Sequence, residues 1–482
     1  MNEISSTRDT VVIAGATGFV GQALGARLGD TFRVVGLSRS GRVPGGGFAA
    51  WRSCDLFSLK DAERGLEGAR YAVYLVHSMM PSARLTQGRF EDLDLICADN
   101  FARAAKQAGV EQVVYLGGLL PDVPELSRHL ESRSEVERTL AGHGVPSTTL
   151  RAGLVVGADG SSFQMMLRLV KRLPVMVVPK WTSTKCQPIA LADVVFLLAY
   201  VLGRPSCIGQ TYDIGGPEVL SYREMMQDTA KVLGVKRRMV KVPVISPGLS
   251  RLWVSTITGS PKELVKPLIQ SLAHSMVARD RRLQELAGLP GMPFRESIRR
   301  ALDESTRAEE PKAPVAYTAP PVSRTPGGVR SVQRLPLPPG RDALWVAEEY
   351  MRWLPGGMRP LRVEVDRDRV CRFFIKGLAN PLLILSFAPD RSASHRQLFY
   401  ITGGLLARDG GRGRLEMRET TDRKMVIAAI HEFHPRLPWF IYRNTQAVVH
   451  VAVMRMFGRH LRRMSAGATR HPPSDPSHAA AT

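Results

Sequence analysis

Three glycines at intervals of three, Gly15, Gly18 and Gly21 in VVIAGATGFVGQALGARL, have the plainest chemical meaning in this chain. A β-branched run enters them and a helical run leaves. Such a loop lets backbone approach a pyrophosphate, and the helix start offers free N–H groups and a positive dipole end. Gly15, Thr17, Gly18, Phe19, Val20 and Gly21 are therefore the expected dinucleotide loop. At the next strand end stand Ser38 and Arg39, with Arg42 nearby, where a carboxylate would grip ribose hydroxyls. A guanidinium there suits the additional phosphate of NADP. Asp55 and Leu56, at a third strand end, are candidates to border an adenine, with Asp55 or Ser58 equally readable as a helix cap.

Further along, chemistry turns to proton transfer. His77 and Ser78 in YLVHSMM sit where ligands of an open α/β sheet bind, at a strand's carboxyl end. His129 and Arg133 lie four apart, on one helical face. An imidazole titrating near neutrality is a fair general acid, and an adjacent guanidinium lowers its pKa. The same pair also reads as an ordinary polar helix face. Arg151 ends another strand and has a salt bridge as its plain alternative. Met165, Met166 and Met176 are expected as core, and Ser161 and Ser162 as caps of the helix they begin.

These residues need a scaffold. From Thr10 to about Val156, strand-like runs (TVVIAG, FRVVGLS, YAVYLVH, QVVYLGG, STTLRAG) alternate with helical stretches. Gly109 and Gly144 read as left-handed helix ends. The alternation predicts an α/β fold, a doubly wound parallel sheet, over residues 1–156. Residues 157–307 read as the remainder of that domain with a small interleaved lobe, including a helix capped by Ser221 and Glu224. A Pro/Gly-rich linker is expected over 308–341, with strand-like alternation in VRSVQRL. A separate α+β domain follows over 342–464, with five strand candidates and one long basic helix from Leu437 to Arg463. Residues 465–482 have the composition of a disordered tail.

The formal charge of +22 is compatible with nucleic-acid binding, contact with anionic membrane surfaces or a general arginine bias. Arginines are spread along the chain without interleaved aromatics, which argues against a nucleic-acid groove and leaves peripheral membrane contact as an alternative. The five cysteines form no Cys-x-x-Cys pair, so neither a metal nor a disulfide framework is expected. The amino-terminal residues lack the pattern of a secretory leader, and no apolar run reaches bilayer length. The expected location is cytoplasmic, or peripheral at the inner face of the membrane.

Together GATGFVG, YLVHSM, VVYLGGL, HLESRSEVERTL, LRAGLVVGADGSSFQMM and QPIALADV resemble the atypical extended short-chain dehydrogenase/reductases, close to NmrA-like and YbjT-like NAD(P)-binding proteins. The resemblance covers roughly residues 10–302. It implies a Rossmann fold, a nicotinamide cofactor (NADP, with NAD the alternative) and a small-molecule substrate. It also implies a catalytic Ser, then Tyr-x-x-x-Lys. Those positions hold Gly117 or Gly118, His129 and Arg133. His129, Arg133 and His77 are thus the catalytic candidates. The expected activity is oxidoreduction of an apolar or quinone-like substrate with unusual acid–base residues. The alternatives are a non-catalytic NADP(H) sensor and a peripheral lipid-ligand protein. The segment after the linker is similar to the uncharacterised domain that follows such reductases, for which strand order suggests a helix-grip fold.

Overall fold

The structure, a computed structural model, describes residues 8–40, 42–77, 85–178, 180–241, 274–309, 328–358, 361–408 and 412–468. It divides into two compact units, residues 1–80 with 94–323 and residues 81–93 with 324–482.

In the first unit, strands β1 (Thr10–Ala14), β2 (Arg33–Ser38), β3 (Ala50–Ser53), β4 (Tyr71–Tyr74), β5 (Gln112–Gly118), β6 (Ser147–Ala152) and β7 (Thr211–Ile214) form one sheet. Its order is β7-β6-β5-β4-β1-β2-β3, parallel throughout, with Val12 opposite both Val35 and Ala72. Strands buried on both faces read as continuous apolar runs, as TVVIA and YAVY do. Helices α1 (Phe19–Leu28), α2 (Leu59–Leu66), α3 (Phe90–Gln107) and α4 (Arg128–Ala141) connect the strands. Gly109 ends α3 in the left-handed conformation, at φ +69°, whereas α4 ends on Gly142 in the right-handed region, at φ −77°, and Gly144 follows it at φ +88°. The order reverses between β1 and β4. There the chain leaves the sheet in opposite directions and opens a crevice at the strands' carboxyl ends.

Helices α5 (Ser161–Arg172), α6 (Leu191–Val201), α7 (Tyr222–Val232) and α8 (Phe294–Glu309) belong to the same unit. Helix α6 packs Val194, Leu197 and Leu198 into the core that also holds Val20 and Leu24 of α1. A second core joins Phe163, Met166 and Val170 of α5 to Met225 of α7 and Ile298 of α8. Met176 is buried in it too, so both methionines are packing residues. Ser221 and Glu224 make the full capping box of α7. Helix α5 differs from expectation: its N-cap is Gly160, and Ser161 and Ser162 are its first helical residues.

In the second unit, β8 (Val329–Pro336), α9 (Ala343–Gly357), β9 (Leu361–Val365), β10 (Cys371–Ile375), β11 (Leu383–Phe387), β12 (Arg396–Gly403), β13 (Arg414–Glu419), β14 (Met425–Phe433) and α10 (Gln446–Ala468) follow in turn. The sheet runs β9-β10-β11-β12-β13-β14-β8 in antiparallel pairs. Strand, helix, six strands and long helix make an α+β unit. Val346 and Tyr350 of α9 and Met454, Phe457 and Leu461 of α10 share one core with Met417, Val426 and Ala428 of the sheet.

Four details depart from the sequence reading. The stretch assigned to a linker contains β8, whose VRSV is fully buried; its proline, Pro336, closes the strand. Residues Leu85–Gln87 add a parallel strand to β8, too short to carry an alternation signal. The terminal helix is two, Trp439–Asn444 and α10, because Thr445 at φ −123°, ψ −85° leaves helical geometry. Helix α10 also continues through Ser465 to Ala468, into the stretch assigned to a tail. Among the described residues, no helix is long and apolar enough to cross a membrane.

Candidate functional site

Two glycines of the loop are required by close neighbours. Gly15 has φ +83°, and a Cβ there would sit 2.8 Å from the Leu75 backbone that follows β4. A Cβ on Gly21 would lie 2.3 Å from the Gly15 carbonyl oxygen, so α1 rests directly on the turn. Gly18 is the N-cap of α1 and its N–H donates to the Gly15 oxygen at 2.9 Å. It supplies no side-chain cap, and the first turn of α1 holds no acidic residue. The helix start is thus left for an external anion. Thr17 is exposed beside it, Phe19 half-buried and Val20 packed into the core. A dinucleotide pyrophosphate fits this cradle.

Ser38 is buried at the end of β2, its hydroxyl accepting from the Ser40 N–H at 3.3 Å. Arg39 is exposed and forms no ion pair among the described residues, which leaves its charge for a ligand. Arg42 instead lies over the Trp51 ring, 5.5 Å from its centroid. Past β3, Asp55 accepts from the Phe57 N–H at 3.2 Å and so shapes its own turn, while Ser58 caps α2. Leu56 is buried, and Asn100 Nδ2 donates to its carbonyl at 2.8 Å.

Two residues beyond Leu75 is His77, and around it the structure gathers three partners. Arg133 Nη2 lies 2.7 Å from His77 Nδ1, and Asp94 Oδ2 lies 3.1 Å from the same nitrogen. Arg133 also donates to Asp94. The His129 ring is 5.3 Å from that of His77. Arg133 and Asp94 expose 9% and 1% of their side chains, whereas His77 keeps 28%, so only His77 reaches outward. Even so, desolvation and then the Arg133 charge lower the His77 pKa, with Asp94 opposing. His129 is pushed down to about 3 by burial first, then by His77 and Arg133. Both imidazoles are neutral at neutral pH. Guanidinium has donors only and carboxylate acceptors only, so His77 Nδ1 can accept from Arg133 or donate to Asp94 but not both; the shorter contact, 2.7 Å, favours accepting from Arg133, which puts the ring proton on Nε2.

His77, His129 and Arg133 are thus brought together, and Ser78 lies outside the described residues. Asp94 was missed. Its signal was positional: Asp94, Cys97, Ala98 and Phe101 follow one buried helical stripe, and a carboxylate there needs a cation. Arg151 belongs to a structural pair, donating to Glu137 at 2.9 and 2.7 Å. An added Cβ on Gly118 would meet Arg133 Cγ at 3.8 Å, an ordinary contact, so packing does not forbid a serine there.

No family model matches the chain. The auxiliary protein GraX of Staphylococcus aureus is 29% identical over 131 residues, 27% of this chain and 43% of that protein. The chain therefore spans less than half the length of that relative. A (4-alkanoyl-5-oxo-2,5-dihydrofuran-3-yl)methyl phosphate reductase of Streptomyces griseus is 26% identical over 302 residues, 59% of this chain and 95% of the reductase. Among solved structures, an NADPH-dependent quinone oxidoreductase of Escherichia coli, complexed with NADPH, aligns at TM-score 0.49 with 20% identity. That alignment covers 61% of this chain and 99% of the oxidoreductase. In class, the first unit has the doubly wound parallel sheet of the Rossmann fold.

Proposed function

We propose that the protein is an NADP(H)-preferring oxidoreductase acting on an apolar, quinone-like acceptor. The observation that carries this reading is the joining of the glycine loop to the polar cluster. The backbone that packs on Gly15 leads within two residues to His77. The loop and the α1 N-terminus would hold the pyrophosphate, Arg39 the adenosine 2′-phosphate, and Ser38, Asp55 and Leu56 would border the adenosine half. When bound, the nicotinamide supplies the hydride. His77 would hold the acceptor oxygen through its Nε2 proton. Arg133 fixes that tautomer and Asp94 neutralises Arg133, so both are positioning residues. His129 stays neutral against them. A site without a strong acid suits a quinone better than a simple ketone, because the hydroquinone anion is stable enough to take its proton from water afterwards. The named activity of the Streptomyces griseus relative, a reduction, supports the same class.

The low pKa of His129 and the glycines at Gly117 and Gly118 favour one other reading, a protein that senses NADP(H) without turnover. Following NADPH absorbance with a panel of quinones and unsaturated lactones separates the two. The oxidoreductase reading expects turnover that drops on the order of 100-fold in His77→Phe while NADPH binding persists. Binding without oxidation by any acceptor leaves the sensor.

A further inference from the structure

The second unit contains a basic cavity that the dinucleotide site does not use. Its volume is about 750 Å³. One wall is a face of α10 carrying Arg455, Arg459 and Arg462, spaced i, i+4, i+7. Facing it are Arg334 of β8 and Arg89, which follows the short strand Leu85–Gln87. Asp92 is the one carboxylate in the lining, and it accepts from Arg334 Nε at 2.7 Å. Arg89, Arg455, Arg459 and Arg462 form no ion pair among the described residues.

Solvated arginines on a helix end are common, since they complement the helix dipole. Two features go beyond that. The cations come from three separate chain segments and converge on one concavity, where like charges repel unless an anion sits among them. Between them the floor is apolar: Met425 and Val451 are partly exposed, over the buried side chains of Val332, Leu335 and Met454. Small residues make that floor close-fitting: a Cβ on Gly458 would come 3.2 Å from Leu335 Cδ2, and one on Gly88 3.1 Å from Val332 Cβ.

We infer that this cavity binds an anionic amphiphile, a phosphate monoester carrying a compact apolar body. The arginines would take the phosphate through paired N–H donors. The apolar floor would cover the body. Free phosphate offers only the first half of this recognition, and a neutral alkyl compound only the second.

Calorimetric titration of the full chain with octyl phosphate, inorganic phosphate and octyl glucoside tests the inference. Saturable octyl phosphate binding is expected, about tenfold or more tighter than inorganic phosphate and weakening as salt rises. Octyl glucoside should not bind. The double variant Arg455→Gln/Arg459→Gln should lose octyl phosphate affinity by about 100-fold or more. Both side chains are exposed, so the fold should persist, and unchanged far-UV circular dichroism and thermal midpoint of the variant would demonstrate it. Arg455→Lys/Arg459→Lys should retain part of the affinity. Equal binding of octyl phosphate by wild type and Gln variant, no binding at millimolar concentration, or equal affinity for inorganic phosphate would each overturn the inference.

Discussion

The glycine loop and the His77 cluster lie side by side in the first unit, and they are built from opposite materials. The loop is backbone. Its function depends on what is missing, since a single added carbon at Gly21 meets a carbonyl oxygen at 2.3 Å. The cluster is side chain. It depends on charges gathered from α3, α4 and the end of β4 and buried together. A backbone site should tolerate changes of charge and fail on added volume. A side-chain network should tolerate changes of shape and fail on lost charge.

The largest expected effect breaks the network. Asp94→Leu leaves Arg133 buried without its counter-charge and should cost about 3–5 kcal/mol in urea unfolding. Adding Arg133→Met should recover much of that loss, because the stranded charge is then gone as well. If the double variant is as unstable as the single one, the cluster is held by shape and the contrast with the loop collapses.

Next comes volume in the loop. Gly21→Ala should destabilise by about 1–3 kcal/mol through overpacking and should remove nucleotide binding with it. Retained binding would show that the helix can shift away from the turn.

The pH response follows from His129. Its folded pKa of about 3 lies below the ordinary value of 6.5, so the unfolded chain binds a proton that the folded chain refuses. Its contribution is fully present above pH 6.5 and lost as pH falls toward 3. Between pH 7.5 and 5 this amounts to about 2 kcal/mol. His129→Phe should lessen the loss of stability over that range by about this amount without abolishing it, since burial also lowers the pKa of His77, His431 and His450; the change in unfolding midpoint between the two pH values reads it. An unchanged slope would remove His129 as its source.

A smaller effect sharpens the cofactor reading. Arg39→Ala should reduce the preference for NADPH over NADH about tenfold, roughly 1.4 kcal/mol, with NADH affinity unchanged. Smallest, Ser127→Ala removes the N-cap of α4, whose hydroxyl accepts from the Leu130 N–H at 3.4 Å. It should cost about 1 kcal/mol, seen in the thermal midpoint.

The same contrast explains what the sequence disclosed. The loop is written in one contiguous segment, and its requirements are local, so Gly15, Gly18 and Gly21 could be read directly. The alternation of apolar runs and helices likewise carried the parallel sheet. The cluster joins residues 77, 94, 129 and 133, and only the pair on α4 has a helical spacing to reveal it. Asp94 was legible only as a carboxylate on an apolar stripe, which says that a partner exists and not which one. Leu85–Gln87 shows the limit most clearly: three residues hold no periodicity, and their pairing with Val329–Ser331 is decided by contacts more than two hundred positions away. In the second unit the antiparallel strands were visible from their alternation, while the arginine cavity needed β8, α10 and residues 87–92 assembled.

The central claim is that the backbone cradle at Gly15–Gly21 receives a pyridine dinucleotide. Calorimetric titration of nucleotide-free protein with NADPH and with NADH measures it directly. The account predicts saturable, one-to-one binding, about tenfold or more tighter for NADPH, and abolished in Gly21→Ala. Absence of heat from either nucleotide at millimolar concentration, or binding of equal strength in Gly21→Ala, would contradict it.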